Sequence, residues 1–311
     1  MNVFTQKAAV IITCHKRIAP YLQKEVEALG FTIEDSFVTG VRINATINDC
    51  IKLNLNLRCA SQVLYSLQSF MATDADAIHQ HLKSYPWENI IPNPGYFSIT
   101  SNVQNDTINN SMFANLRVKD AIVDRMREVR GNRPSTGAEL IGAVINLFWK
   151  NDEAEIFIDT SGDSLARHGY RKIPGLAPML EGLASATIYA TNWDRVSPFI
   201  NPMCGSGTLA IEAALIATNR APGLFRNNYA FMHLLGYNEA VYKKEKTLLQ
   251  EQIKTVANLK IIATDLSAKA IENAKKNAAA AGVENLIHFA VCDFAATQVP
   301  QNKAGVRTLG R

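Results

Sequence analysis

Asn201-Pro202-Met203-Cys204-Gly205-Ser206-Gly207-Thr208-Leu209-Ala210-Ile211-Glu212 is the stretch of this chain best suited to chemistry. Residues 196–200 before it read as a short buried strand. Residues 209–217 are almost unbroken apolar helix formers, so the pattern is strand, glycine turn, helix. Gly205 and Gly207 let the backbone turn tightly and leave no Cβ between it and a ligand. The helix that follows points unpaired N–H groups and a partial positive charge at whatever occupies the turn. Such a turn holds a nucleotide or the carboxylate of an amino-acid-like cofactor. The spacing Gly205-x-Gly207-x-x-Ala210 also fits the dinucleotide fingerprint, a weak signal by itself. That fingerprint asks for an acid about 20 residues on. Here the first strand-end acid comes much later, at Asp265.

The surrounding elements account for that delay. Pro222-Gly223 break the first helix, and 239–256 read as an added helix before the second strand at 260–264. Asp265 ends that strand, and Ser267 caps a helix whose Ala270, Ile271, Ala274 and Ala278 face the sheet. A third strand at 286–291 leads into Cys292-Asp293-Phe294. Two acids in register on successive strand ends, behind a glycine turn, favour ligand binding over simple capping. Residues 181–190 form a helix of small side chains that can pack closely on the turn.

Length and composition set the frame. A chain of 311 residues suggests two or three domains. Its 47% apolar and 19% charged residues are ordinary for a soluble globular protein, and the net charge of +4 permits nucleic-acid binding without demanding it. Five scattered cysteines with no Cys-x-x-Cys pair point to reduced thiols, no disulfide framework and no zinc site. The longest N-terminal apolar run, 8–12, is too short for a signal sequence or membrane span, so a cytoplasmic location is expected.

The first half reads as a small α+β module. Strands are expected at 7–14, 36–47 (with a turn at Gly40), 63–70, 97–103, 141–149 and 154–159, with helices at 21–29, 48–56 and 74–84. From Met112 a helix is expected with Met112, Leu116, Val118, Ile122, Met126 and Val129 on its apolar side. Arg117, Lys119, Arg125, Arg127, Arg130 and Arg133 accompany it, against Asp120, Asp124 and Glu128. A solvated helix face explains part of this pattern, but the excess of cations leans toward phosphate contacts with RNA. Aromatic residues are not concentrated here, so backbone and shape contacts are favoured over base reading.

Asn105-Asp106-Thr107-Ile108, Val118-Lys119-Asp120-Ala121-Ile122, Ser161-Gly162-Asp163, Gly169-Tyr170-Arg171, Ala177-Pro178-x-x-Glu181 and the 201–212 motif occur in one order. Together they resemble the THUMP-domain RNA guanine-N2 methyltransferases, most of all the bacterial enzymes that methylate a guanine of 23S ribosomal RNA. The resemblance covers the chain to about Pro300. It implies an α/β fold, with an incomplete Rossmann-like class I methyltransferase sheet (161–311) preceded by a ferredoxin-like segment (1–57) and a THUMP RNA-binding domain (58–160). It implies an S-adenosylmethionine (SAM) site formed by Pro178, Asn201, Pro202, Cys204, Gly205, Gly207, Thr208 and Glu212. Asp265 would take the ribose hydroxyls, and Asp293 and Phe294 the adenine. Asn105, Thr107, Arg117, Lys119, Arg130, Arg133 and Arg171 would contact RNA, namely 23S rRNA or a ribosome assembly intermediate.

Three departures from the family pattern matter. Family members usually carry Asp where Asn201 stands; Asn still accepts a hydrogen bond from the cofactor's ammonium, without charge assistance. His168 stands where Arg is usual, and a lone His beside arginines reads as structural. The Asn/Asp-Pro-Pro-Tyr/Phe tetrapeptide that holds the target amine and stacks on the flipped base occurs nowhere in the 311 residues. With strand four onward expected to be missing, the chain should keep RNA affinity, bind SAM weakly or not at all, and be inactive alone. The alternatives are a non-catalytic RNA-binding protein and, less favoured, an NAD-dependent oxidoreductase.

Overall fold

Val10 and Ile12 alternate with partly exposed neighbours and are completely buried, the period-two signature of a half-covered strand. They lie on β1 (Ala8–Thr13), which opens the chain in the computed structural model; the structure describes residues 3–105, 108, 110–175, 177–300 and 307–308. There follow α1 (Ala19–Ala28), β2 (Asp35–Phe37), β3 (Gly40–Ala45), α2 (Ile47–Asn56) and β4 (Gln62–Met71). Thr46 and Asp49 start α2 with a reciprocal capping box. Next come α3 (Ala75–Ser84), β5 (Tyr96–Gln104), α4 (Ser111–Arg130), β6 (Ser135–Thr136), β7 (Ala143–Lys150) and β8 (Glu153–Asp159).

Among the described residues these strands form one eight-stranded sheet, in the order β2-β3-β1-β4-β8-β7-β5-β6. β4 pairs with β1 on one side and with β8 on the other. The boundary expected between 57 and 58 therefore separates two groups of residues that share one continuous sheet.

α4 buries Val118, Ile122 and Met126 as expected, but not the other three apolar residues. Its core face is Ala114, Val118, Ala121, Ile122 and Met126, whereas Met112, Leu116 and Val129 are exposed.

The second half contains α5 (Glu181–Ala190), β9 (Phe199–Pro202), α6 (Thr208–Ala217), α7 (Glu239–Glu251), β10 (Ile261–Asp265), α8 (Ala268–Ala280), β11 (Ile287–Val291) and β12 (Arg307–Thr308). β9 starts later than expected. Asp194 Oδ1 accepts the N–H groups of Val196 and Ser197, which holds those residues in a turn. The sheet order is β11-β10-β9-β12, all parallel. Arg307 and Thr308 pair with Phe199 and Ile200. The expectation that strand four is missing is thus corrected to this extent: a parallel strand, β12, stands beside β9.

The segment between α6 and β10 packs backward onto the first half. Tyr229, Phe231, Leu234, Tyr242 and Leu249 belong to the core of the N-terminal module, and Phe231 N–H donates to Thr160 O. Gly223 lies against Leu55, where a Cβ would stand 2.5 Å from its Cα. The insertion thus bolts the two halves together. No helix among the described residues is long and apolar enough to cross a membrane.

Candidate functional site

The chain leaves β9 at Pro202 and reverses through Met203, Gly205 and Gly207, all with positive φ (58°, 54° and 83°). Gly207 is the residue before α6, and no side chain caps that helix. Its first turn therefore presents backbone donors to the space above β9. α8 presses on the turn from beneath, so a Cβ on Gly207 would stand 2.9 Å from that of Ala274. Asp265, at the end of β10, braces the turn: its Oδ2 accepts Gly205 N–H at 2.9 Å and its Oδ1 accepts Ser267 N–H at 2.9 Å.

A cavity of about 390 Å³ opens beside this turn. Its wall includes Asn201, Pro202, Cys204, Gly205 and Thr208 from the turn and Pro178 from the segment before α5. Ala177, Met179, Thr187, Met203, Ser206 and Leu209 complete it, none of them among the expected cofactor contacts. Asn201 is 3% exposed, and its Oδ1 is buried without a hydrogen-bond partner. An orphaned acceptor on a cavity wall is costly unless a donor arrives. The residues present therefore fit an amino-acid-like cofactor, since they offer both an unused acceptor and the unpaired N–H groups of a helix start. Burial, followed by the nearby Asp265 charge, pushes the Cys204 thiol up to about 12, so it stays protonated and takes no nucleophilic role.

Asp293 and Phe294 stand outside this wall. Asp293 is exposed and caps a short turn at Phe294–Ala296, accepting Ala295 N–H at 2.9 Å. Phe294 is 61% exposed.

Glu212 is placed elsewhere altogether. It is completely buried on α6, with Oε1 2.8 Å from His168 Nδ1 and Oε2 accepting Ser185 Oγ–H at 2.8 Å. Both oxygens are committed inside the protein, so Glu212 does not reach the cavity. His168 Nε2 lies 3.0 Å from Arg58 O, which can only accept; that nitrogen carries a proton. The Arg58 guanidinium is 3.8 Å from Glu212 and donates to Arg220 O at 2.7 Å. Burial alone would push the Glu212 carboxyl up, but the His168 charge and hydrogen bond, with Arg58, hold it below the usual carboxylate range. Burial likewise opposes a charged His168, yet the Glu212 carboxylate and the Arg58 carbonyl raise it above an ordinary imidazole. His168 is structural, and it ties the N-terminal module to the cofactor helix.

The cations expected to meet RNA divide into two groups. Arg117 pairs with Asp76 of α3, and Lys119 with Asp120 at 3.0 Å. Arg125 pairs with Glu88, and Arg130 donates to Glu88 O at 2.7 Å. Arg127 and Arg133 are exposed. Acids from other segments thus pair with Arg117 and Arg125, while Lys83 of α3 pairs with Glu128 of α4. Asn105 Oδ1 accepts Ile108 N–H at 2.8 Å, shaping the turn before α4; Thr107 lies outside the described residues. Arg171 is not on this face at all. It donates to Met179 O and to Thr208 Oγ1 (3.0 Å) and lies 3.5 Å from Glu181. Its guanidinium is occupied in holding the cavity wall, which corrects its assignment to RNA.

A parallel sheet with a glycine turn leaving its first strand and an acid closing its second defines a Rossmann-like ligand-binding domain, here joined to an α+β arm. Residues 168–308 match the RMKL-like methyltransferase domain, 9–64 the RlmL ferredoxin-like domain and 72–159 the THUMP domain. The chain belongs to the methyltransferase family that joins these three domains. Among its relatives, the ribosomal RNA large subunit methyltransferase K/L of Syntrophotalea carbinolica is 36% identical over 291 residues, 91% of this chain and 40% of that protein. Its counterpart in Legionella pneumophila is 32% identical over 302 residues, 96% of this chain and 42% of that protein. The chain thus spans about 40% of the length of these relatives. The methyltransferase-like protein SMU.472, crystallised with SAH, superposes with a TM-score of 0.88 at 27% identity, covering 99% of this chain and 81% of that one. A protein of Listeria monocytogenes, described as a predicted N6-adenine-specific DNA methylase, gives a TM-score of 0.87 at 31% identity, with 97% and 79% covered.

Proposed function

We propose that this chain binds S-adenosylmethionine beside the 201–208 turn and serves methyl transfer to the exocyclic N2 of a guanine in 23S rRNA. The observation that carries this reading is the buried, unpartnered Oδ1 of Asn201 on the cavity wall. When bound, the cofactor supplies an electrophilic methyl group on a sulfonium. Asn201 accepts from its ammonium, and the first-turn N–H groups of α6 receive its carboxylate. Asp265 holds Gly205 in place and leaves carboxylate lone pairs for ribose hydroxyls, while Asp293 and Phe294 approach the adenine. An incomplete sheet with an open inner edge implies weak or no affinity. With β12 paired to β9 and the cavity walled by 177–179, Thr187 and residues of the 201–209 turn, we expect one-to-one binding instead.

The THUMP arm brings RNA to this domain through Arg127, Arg133 and neighbouring cations. No Asn-Pro-Pro-Tyr occurs among the 311 residues, so nothing in them supplies that grip on the target amine. That absence favours a second reading, RNA binding without transfer by this chain alone. Calorimetry with SAM tests cofactor binding, and incubation with unmodified 23S RNA and labelled SAM tests transfer. Heat without transfer is the expected pair of results. Absence of heat overturns the cofactor reading, and measurable transfer overturns the second reading.

A further inference from the structure

α8 turns one polar side chain toward the core among Ile271, Ala274 and Ala278: Asn277, completely buried. All of its hydrogen-bonding capacity is spent across the cofactor side of the fold. Its Oδ1 accepts the N–H groups of Lys172 and Ile173, each at 3.0 Å. Its Nδ2 donates to Ile173 O at 2.9 Å and to Ser206 O at 3.2 Å. Residues 171–175 carry no regular secondary structure, so Lys172 and Ile173 find in this amide the partners a helix or strand would supply. Ser206 belongs to the glycine turn itself.

We infer that Asn277 is a positioning residue for the methyl-donor cavity, clamping the strap of residues 171–175 and 177–180 to the glycine turn. The strap supplies Ala177, Pro178 and Met179 to the cavity wall. Its course lies directly over the turn: a Cβ on Gly175 would meet only Ser206 Cβ, at 3.8 Å. Arg171 fastens the far part, joining Met179 O to the Thr208 hydroxyl at the start of α6. One turn earlier on α8, Ala274 touches Gly207. α8 therefore sets both the height of the turn and the position of the wall opposite it. An apolar residue at 277 would fill the same space but leave two N–H groups and two carbonyls of strap and turn without these bonds. Packing alone does not account for a buried amide satisfied on all sides by exactly these two segments.

This inference rests on the cavity holding SAM or its product, and the test separates the two ideas. The full 311-residue chain and its N277D and N277S variants are titrated with S-adenosylhomocysteine, while hydrogen exchange follows the Lys172 and Ile173 amides. Thermal unfolding confirms that each variant is folded. Asp keeps both acceptors for the strap but puts a lone pair against Ser206 O, and Ser is too short to span the gap. Each variant is expected to bind about tenfold or more weakly, the effect of losing one or two hydrogen bonds. The two strap amides exchange faster in N277S, while exchange in β1–β8 is unchanged. In the wild type, ligand slows both amides further. If the wild type binds and folded variants bind as tightly, the positioning role is overturned and the cofactor reading stands. If the wild type gives no heat, the cofactor reading falls and the role falls with it, whatever the exchange shows. If N277D and N277S fail to fold, the wild-type amides decide: exchange insensitive to bound ligand overturns the role.

Discussion

His168 Nδ1 lies 2.8 Å from Glu212 Oε1 with both side chains sealed from solvent, and the 3.0 Å approach of its Nε2 to Arg58 O links this pair to the N-terminal module. Because His168 Nε2 also faces a carbonyl, the ring is held as a double donor. Replacing it by Leu leaves Glu212 a buried charge held by the neutral Ser185 hydroxyl and the 3.8 Å approach of Arg58. H168L should lose about 3–5 kcal/mol of unfolding free energy in urea titrations. The H168L/E212L double variant should lose less than the sum of the two single changes, since it removes both charges together.

The same pair predicts how stability depends on pH. The His168 contribution is fully present below the unfolded imidazole value of about 6.5 and is lost as pH rises through its raised folded value. The Glu212 contribution is present above the unfolded carboxyl value and is lost as pH falls through its lowered folded value. Wild-type urea midpoints should therefore decline on the alkaline side of neutrality, and H168Q should remove that part of the decline. An unchanged alkaline slope in H168Q would contradict the assignment.

The two glycines of the turn should respond differently to alanine. At Gly205 an added Cβ meets nothing within 4 Å, so G205A carries only the backbone cost of positive φ, about 1–2 kcal/mol. Its methyl group projects beside the cavity wall and should weaken SAM binding. At Gly207 the same backbone cost is joined by a 2.9 Å contact with Ala274, adding about 1–3 kcal/mol of overpacking. Thermal unfolding should therefore rank G207A below G205A, while calorimetry finds both impaired.

Arg171 and Arg133 separate the two candidate sites. R133A should weaken RNA binding and reduce the magnitude of the log–log salt slope by about 1. R171A should leave that slope unchanged and weaken SAM binding, because its guanidinium holds Met179, Thr208 and Glu181. The reverse result would return Arg171 to the RNA face.

The turn, the strand-end acids and most elements were legible in the sequence because each is written locally, in a glycine spacing or an apolar period. What escaped notice is assembled from afar. Arg58 meets His168 across 110 residues, and Asn277 meets Lys172 across 105, so neither contact leaves a local pattern. Glu212 falls in the recognised motif, yet it sits on the face of α6 turned from the cavity. The cations of α4 looked unbalanced because their partners Asp76 and Glu88 come from other segments. Periodicity placed Met112 and Leu116 inside, but Ala114 and Ala121 share the core face with Val118, Ile122 and Met126 instead.

Isothermal titration of the 311-residue chain with SAM, alongside N201A and alongside NAD, tests the central claim most directly. The orphaned acceptor of Asn201 predicts one-to-one heat with SAM, a clear loss of affinity in N201A and no heat with NAD. Heat with NAD, or SAM binding that N201A leaves untouched, would contradict it.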